Sequence, residues 1–294
     1  MAGEAVIGIA GLGLVGSALA ARLAAAGNIV LGFDPDPARR ALLDATRSQS
    51  ARGSIAQLVA ECDCLLIAVF DDAQLRTVTA ALTGASARRV VLVLCITTAL
   101  PATLLDCGSQ SIRAGIAFVE APISGSSAKI AAGEGRMFVG GSPADIERAT
   151  SILQAITQHR KVIGALGQAS AAKLSTNLVL GLNRLALAEG MALAESLGLD
   201  RARYLDLLLD SAATSRAALE KGPMMVADQY EPPVATIAQH AKDVGLMLEL
   251  GRQSGQALPL SELHRDLLQR SIERGDANLD NAAVIRAVRT PRGA

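Results

Sequence analysis

The segment Gly11-Leu12-Gly13-Leu14-Val15-Gly16 constrains this chain more than any other feature, because of what flanks it. An apolar run, Val6 to Ala10, precedes it, and Ser17 to Leu23, Ala- and Leu-rich and a strong helix former, follows. Strand, glycine turn and helix in that order form a phosphate cradle. The first glycine permits the tight turn, the second lets backbone approach a pyrophosphate, and the third lets the helix pack against the strand. The helix N-terminus then favours an anion without any basic side chain. An ordinary glycine turn is the competing reading. Against it stands Asp34, which closes a second apolar run, Ile29 to Phe33, 23 positions after Gly11 (34 − 11). Its carboxylate can accept hydrogen bonds from both ribose hydroxyls of an adenosine and repels a 2′-phosphate, so NAD is expected over NADP. Asp36 can cap the next helix and leave Asp34 free for this role, whereas Arg39 or Arg40 could accommodate a phosphate.

Short apolar runs alternate with helical stretches over the first 165 residues, as a parallel sheet with crossover helices requires. Besides the two runs above, Leu65 to Val69, Val90 to Ile96, Ile116 to Glu120, Met137 to Gly140 and Lys161 to Ile163 read as buried strands. Ser54 with Gln57, Pro101, and Ser142-Pro143 mark helix starts. Beyond Gly167 the β-branched runs disappear. Helices are expected over Gln168 to Leu197, Arg201 to Leu209, Arg216 to Ala227, Val234 to Gly251, Pro259 to Arg274 and Asn281 to Val288. The expectation is an α/β chain: a Rossmann-like, doubly wound domain over 1–165 and an all-helical domain over 166–294. The long first helix of the latter offers a face for another subunit.

Composition removes other classes. The 294 residues carry 28 basic and 28 acidic side chains, with 4 Phe, 2 Tyr and no Trp, which supplies neither a net pull toward phosphate backbones nor a base-stacking platform. Nucleic acid is not an expected partner. Ala5 to Ala21 carries no charge, but it lacks a basic flank and is interrupted by glycines, so no membrane segment or signal is expected. Cys62, Cys64, Cys95 and Cys107 lie in apolar surroundings, and Cys62-Asp63-Cys64 has no second metal-spaced pair. Free buried thiols, no metal and a cytoplasmic location follow.

Two stretches carry chemistry. Glu120-Ala-Pro-Ile-Ser124-Gly125-Ser126-Ser127 follows a strand at the edge where open α/β sheets bind ligands. Ser124 offers a hydroxyl and Gly125 an N–H, a neutral pair suited to a carboxylate, though such a sequence is often only a turn. Lys173 and Asn177 are spaced by four, which puts them on one helical face. Asn is a poor residue for a helix interior, yet a lone Lys on a helix is usually a solvated charge, and spacing alone favours that plainer reading.

Taken together and in order, these stretches resemble the β-hydroxyacid dehydrogenase family, the group of 3-hydroxyisobutyrate dehydrogenase, tartronate semialdehyde reductase and threonate dehydrogenase. Gly11 to Gly16 matches the cofactor loop, Ala121 to Gly125 the substrate-carboxylate motif, Gly167 to Asn177 the catalytic helix, and Lys242-Asp243-Val-Gly-Leu246 a lysine-aspartate motif near the cofactor. The resemblance implies NAD-dependent interconversion of a short 3-hydroxy or polyhydroxy acid and its aldehyde or ketone. Lys173 would be the general acid/base and Asn177 would orient the substrate. Ser124, Gly125 and Ser126 would bind it, with Lys242 beside substrate and nicotinamide. Val69, Phe70, Ile96 and Thr97 would line the cofactor pocket with Asp243. Oxidation needs a group that takes the hydroxyl proton and steadies the developing alkoxide, and Lys173 can do both if burial or a second cation such as Lys242 favours its neutral amine.

The chain also departs from the family pattern. Glu120 stands where Asp is usual, Ser126 where a second Gly is usual, Phe70 in place of a frequent Pro and Ile96 in place of a frequent Thr. His240 and Arg216 are further candidates for contacting a polar substrate, although each is more often structural or a surface charge. The resemblance also implies a homodimer or homotetramer. Two other readings are an imine reductase of the same fold, which would generally lack the lysine, and a catalytically weak NAD(H)-binding sensor.

Overall fold

A computed structural model describes residues 5–47 and 49–289, and the chain divides into two compact units, one ending at Lys173 and one beginning at Leu174. The first unit is wound around eight strands: β1 (Val6–Ala10), β2 (Ile29–Phe33), β3 (Cys64–Ile67), β4 (Leu92–Cys95), β5 (Ala117–Glu120), β6 (Ile123–Ser124), β7 (Arg136–Gly140) and β8 (Arg160–Gly164). Its helices are α1 (Leu14–Ala25), α2 (Pro37–Thr46), α3 (Ile55–Glu61), α4 (Asp72–Thr83), α5 (Pro101–Arg113), α6 (Ser127–Ala131) and α7 (Pro143–Ile156). The order across the sheet is β2-β1-β3-β4-β5-β7-β6, and β8 also pairs with β7.

Burial alternates residue by residue along the strands. Ile7 and Ile9 of β1, Leu92 and Leu94 of β4 and Ala117 and Val119 of β5 pack on one face with Leu19, Leu23, Ile152 and Leu153 of α1 and α7. Val93, Cys95 and Phe118 face the other way, onto Leu58, Leu75, Leu82 and Leu104 of α3, α4 and α5. A sheet covered on both faces must be apolar on both, which is why its strands read as unbroken apolar runs. This is the doubly wound, Rossmann-like arrangement expected. Helix entries follow the local chemistry: Asp36, Ser54 and Ser142 each accept a bond from the backbone N–H two or three residues on, and Pro101 and Pro143 occupy first turns.

Two details correct the sequence reading. The sheet is parallel from β2 to β5, but β7 runs antiparallel to both β5 and β6 and pairs parallel with β8. The two-residue β6 is too short to leave a pattern. β8 is also not buried: Lys161, Val162 and Ile163 are exposed, because the strand lies at an edge of the pairing order.

The second unit is helical: most of α8 (Gln168–Ser196), then α9 (Arg201–Leu209), α10 (Arg216–Ala227), α11 (Ile237–Ser254), α12 (Pro259–Glu273) and α13 (Ile285–Val288). Its core joins Leu174, Leu187 and Met191 of α8 to Met225, Val244, Met247 and Leu268. α11 starts three residues later than expected because the Thr236 side chain caps it by accepting from the Gln239 N–H. The last expected helix divides into a 3₁₀ turn, Asn281–Val284, and α13. Among the described residues, no helix is long and apolar enough to cross a membrane. All four cysteines are free and buried, and burial pushes the Cys62 thiol up to about 12, so it holds no thiolate at neutral pH.

Candidate active site

The carboxyl ends of β1, β2, β3, β4 and β5 gather the residues of interest at one edge of the sheet. After β1, Gly11 takes a φ of +96°, and a Cβ there would lie 2.4 Å from the Ala68 carbonyl oxygen. Gly16 is fixed by proximity, since its Cβ would stand 1.8 Å from the carbonyl oxygen of Gly11. Gly13 differs from both. A Cβ on it would come no closer than 3.8 Å, to the Arg39 guanidinium, so none of the described residues forces glycine there. Gly13 is also the N-cap of α1, whose first turn has neither a side-chain cap nor an acidic residue. The helix end that the chain leaves open is the one suited to a phosphate. Leu14 is exposed and Val15 partly buried at this turn.

Asp34 ends β2 as a buried carboxylate. Its oxygens accept from the N–H groups of Leu12 at 2.8 Å and Asp36 at 2.9 Å, which locks it beside the glycine turn. Arg39 stands 3.4 Å from it on a half-exposed side chain, while Arg40 turns to the carbonyls of Asp34 and Pro35. Thr97 ties the ends of β3 and β4 together, accepting from Val69 N–H at 3.0 Å and donating to the Ile67 carbonyl at 3.2 Å. Ile96 is buried in the core and donates its N–H to the same carbonyl, and Phe70 is exposed.

The segment after β5 and the head of α8 meet within the first unit. Lys173 is 5% exposed, and its Nζ donates to the Ile123 carbonyl at 2.8 Å and to the Ser124 hydroxyl. The structure thus brings together the predicted amine and the predicted carboxylate-binding serine. Gly125 follows with a φ of +139°. The Ser126 hydroxyl accepts from the Lys129 N–H and caps α6, which gives this departure from glycine a local use. Asn177, partly buried, lies one turn beyond Lys173 on α8.

Glu120 was not expected as a site residue. It is fully buried at the end of β5, and its two oxygens accept from the N–H groups of Ala169 at 2.8 Å and Ser170 at 3.1 Å. It therefore caps the helix that carries Lys173 and ties that helix to the sheet. Burial raises its pKa against the lowering pull of these N–H groups. Gly140, opposite Glu120 across the ladder, makes room for it, because a Cβ there would stand 2.3 Å from Oε1. The departure at position 120 was the only signal available in sequence.

In the second unit, Lys242 pairs with Asp243 at 2.7 Å, and both are largely buried. His240 is buried against His264, and burial holds its pKa well below the ordinary imidazole value. The Arg216 side chain is 68% exposed and pairs with Glu220 one turn along α10.

Two family models cover this architecture. One, for the NAD binding domain of 6-phosphogluconate dehydrogenase, matches residues 6–167, and one described as NAD-binding of NADP-dependent 3-hydroxyisobutyrate dehydrogenase matches 167–288. The L-threonate dehydrogenase of Cupriavidus necator is 30% identical over 285 residues, 95% of each chain. The structure of a 3-hydroxyisobutyrate dehydrogenase from Mycobacterium tuberculosis, solved with L-serine, superimposes with a TM-score of 0.87 at 26% identity, covering 98% of this chain and 100% of that one. An imine reductase from Myxococcus stipitatus shares the fold at a TM-score of 0.64 and 18% identity, over 97% of this chain and 100% of its own.

Proposed function

This chain belongs to the β-hydroxyacid dehydrogenase family and is a nicotinamide-dependent hydroxyacid dehydrogenase, and on that premise we propose that Lys173 is its general acid/base. The observation that carries this reading is the buried Nζ held against the Ser124 hydroxyl. Ser124 and the Gly125 N–H would hold the substrate carboxylate, which sets the neighbouring hydroxyl next to Nζ. In the oxidation direction Nζ would take the hydroxyl proton, and in reduction it would return it. Asn177 would orient the reacting oxygen, and Lys242 would add positive charge where the alkoxide develops.

The open α1 N-terminus, the uncrowded Gly13 and the buried Asp34 fit a dinucleotide. Gly11 to Gly16 and Asp34 would hold it with Val69, Phe70, Ile96, Thr97 and Asp243, and when bound it would accept the hydride that leaves the carbinol carbon. Asp34 supports NAD as the preferred form. The substrate class is a short 3-hydroxy or polyhydroxy acid. The exposed Val179, Leu180 and Leu193 of α8 support a homo-oligomer, and four buried free thiols fit the reducing cytoplasm.

The test is Lys173→Ala assayed with a panel of hydroxy acids, using NAD and NADP in parallel. Turnover should be lost while NADH binding, measured calorimetrically, persists. Retained turnover would sink the assignment of Lys173, and greater efficiency of the unsubstituted enzyme with NADP would sink that of Asp34.

A further inference from the structure

The second unit holds a group of buried cations that the chemistry above does not use. Arg184 of α8 is 4% exposed, and among the described residues neither its Nε nor its Nη1 has a hydrogen-bond partner. The same is true of Nε2 in His240 of α11 and in His264 of α12, the latter 2% exposed. The two rings lie 4.9 Å apart between centroids. Gly181, three residues before Arg184 on the same helix, admits them. A Cβ there would stand 2.8 Å from His240 Nε2 and 3.1 Å from His264 Cε1. The open ring edges therefore meet α8 on the face that carries Arg184.

The charges around this point do not balance. Among the described residues, Lys221 and Arg184 are the cations here, Asp280 is the carboxylate whose charge acts on both, and Glu220 acts on Lys221 but not on Arg184. Asp280 is fully engaged: it accepts from Lys221 Nζ at 2.7 and 2.8 Å and from the N–H groups of Val234, Ala235 and Ala282. That leaves one guanidinium charge in the interior with polar atoms unpaired, a costly state unless an anion joins it. Burial keeps both imidazoles neutral, with His264 held at about 4, so each can present an N–H without adding to the charge.

We propose that Arg184, His240 and His264 form a binding site for a compact monovalent anion, a halide or a carboxylate. It is separate from the hydroxy-acid site. Arg184 is eleven residues (184 − 173) beyond Lys173 on α8, roughly 16 Å of helix rise, farther than one short hydroxy acid reaches. The bound anion pins α8 to α11 and α12, so it shows itself in stability rather than in turnover.

The experiment is urea unfolding of the full chain at constant ionic strength, with chloride or acetate replacing the bulkier methanesulfonate. A saturable rise is expected, and at ten times the dissociation constant the unfolding equilibrium constant should fall about elevenfold. The response to chloride against acetate tells halide from carboxylate. Arg184→Leu, which exchanges a buried charge for an apolar side chain, should lose the anion dependence. Chloride NMR line broadening on the unsubstituted protein, reversed by bromide or acetate, provides a readout that needs no variant. A response no larger than that of methanesulfonate, an unchanged response in Arg184→Leu, or chloride inhibition competitive with the hydroxy acid would overturn the proposal.

Discussion

Replacing Glu120 by Ala tests whether the carboxylate at the end of β5 sets the position of Lys173, the proposed general acid/base. The side chain touches no part of the proposed chemistry, yet it accepts from both Ala169 and Ser170 in the first turn of α8. Removing it orphans two buried N–H groups, at about 1–3 kcal/mol each, for a loss of about 2–6 kcal/mol. Relief of the carboxylate's own desolvation, and water entering the space left, pull the figure toward the lower half of that range. Urea unfolding reads the loss, and amide hydrogen exchange at Ala169 and Ser170 locates it. Because Lys173 sits one turn further on, kcat should fall roughly tenfold to a hundredfold while NADH affinity stays unchanged. A pH series sharpens the test. Burial raises the folded-state pKa of Glu120, so its contribution to stability is complete below the ordinary glutamate range and is lost as pH rises through the folded value. The margin of the unsubstituted protein over Glu120→Ala should thus be larger at pH 5 than at pH 8. A loss below about 1 kcal/mol, or unaltered exchange at the two amides, would show that this carboxylate does not hold the helix.

Two other predictions follow from distances and burial. Gly16→Ala should fail to fold or lose most of its stability, because its new methyl meets the Gly11 carbonyl oxygen, whereas Gly13→Ala should unfold normally and bind NADH at least tenfold more weakly. Equal stability of the two variants in urea, or unweakened NADH binding by Gly13→Ala, would contradict the cradle. His264 is held at about 4 against an ordinary 6.5, so its stabilisation is present above pH 6.5 and is lost as pH falls through 4, a span of about 3 kcal/mol. His264→Asn should flatten that part of the acid unfolding profile, in which Arg184 and His240 also take part, and an unchanged profile would refute it.

Much of this was legible in the sequence wherever a local rule applied. The glycine turn, Asp34 and the caps at Asp36, Ser54 and Ser142 depend on neighbours within a few residues, and each stands where its pattern places it. Strand cores were equally plain, because burial on two faces leaves a continuous apolar run. What stayed hidden depends on contacts between distant segments. Glu120 looked like a substitution in a motif, since its partners lie 49 and 50 residues away. The exposure of β8 comes from its edge place in the sheet order, which its three apolar or basic residues do not announce. Arg184, His240 and His264 come from three helices, and no spacing along the chain connects them. Lys173 lies between these cases. Its spacing to Asn177 was visible, but its contact with Ser124 joins residues 49 positions apart.

The helix that begins at Gln168 has a practical consequence for anyone who wishes to divide the enzyme. A cut at residue 167, where the two family models join, looks natural on a linear map. It would remove the two amides that Glu120 binds and the amine that Ser124 accepts from, leaving an amino-terminal fragment with a bare acid in its interior. Such a fragment would be a poor vehicle for studying dinucleotide binding in isolation. Ending it after the first turns of α8 keeps those partners, so the useful seam for recombination or chimeragenesis lies inside a helix.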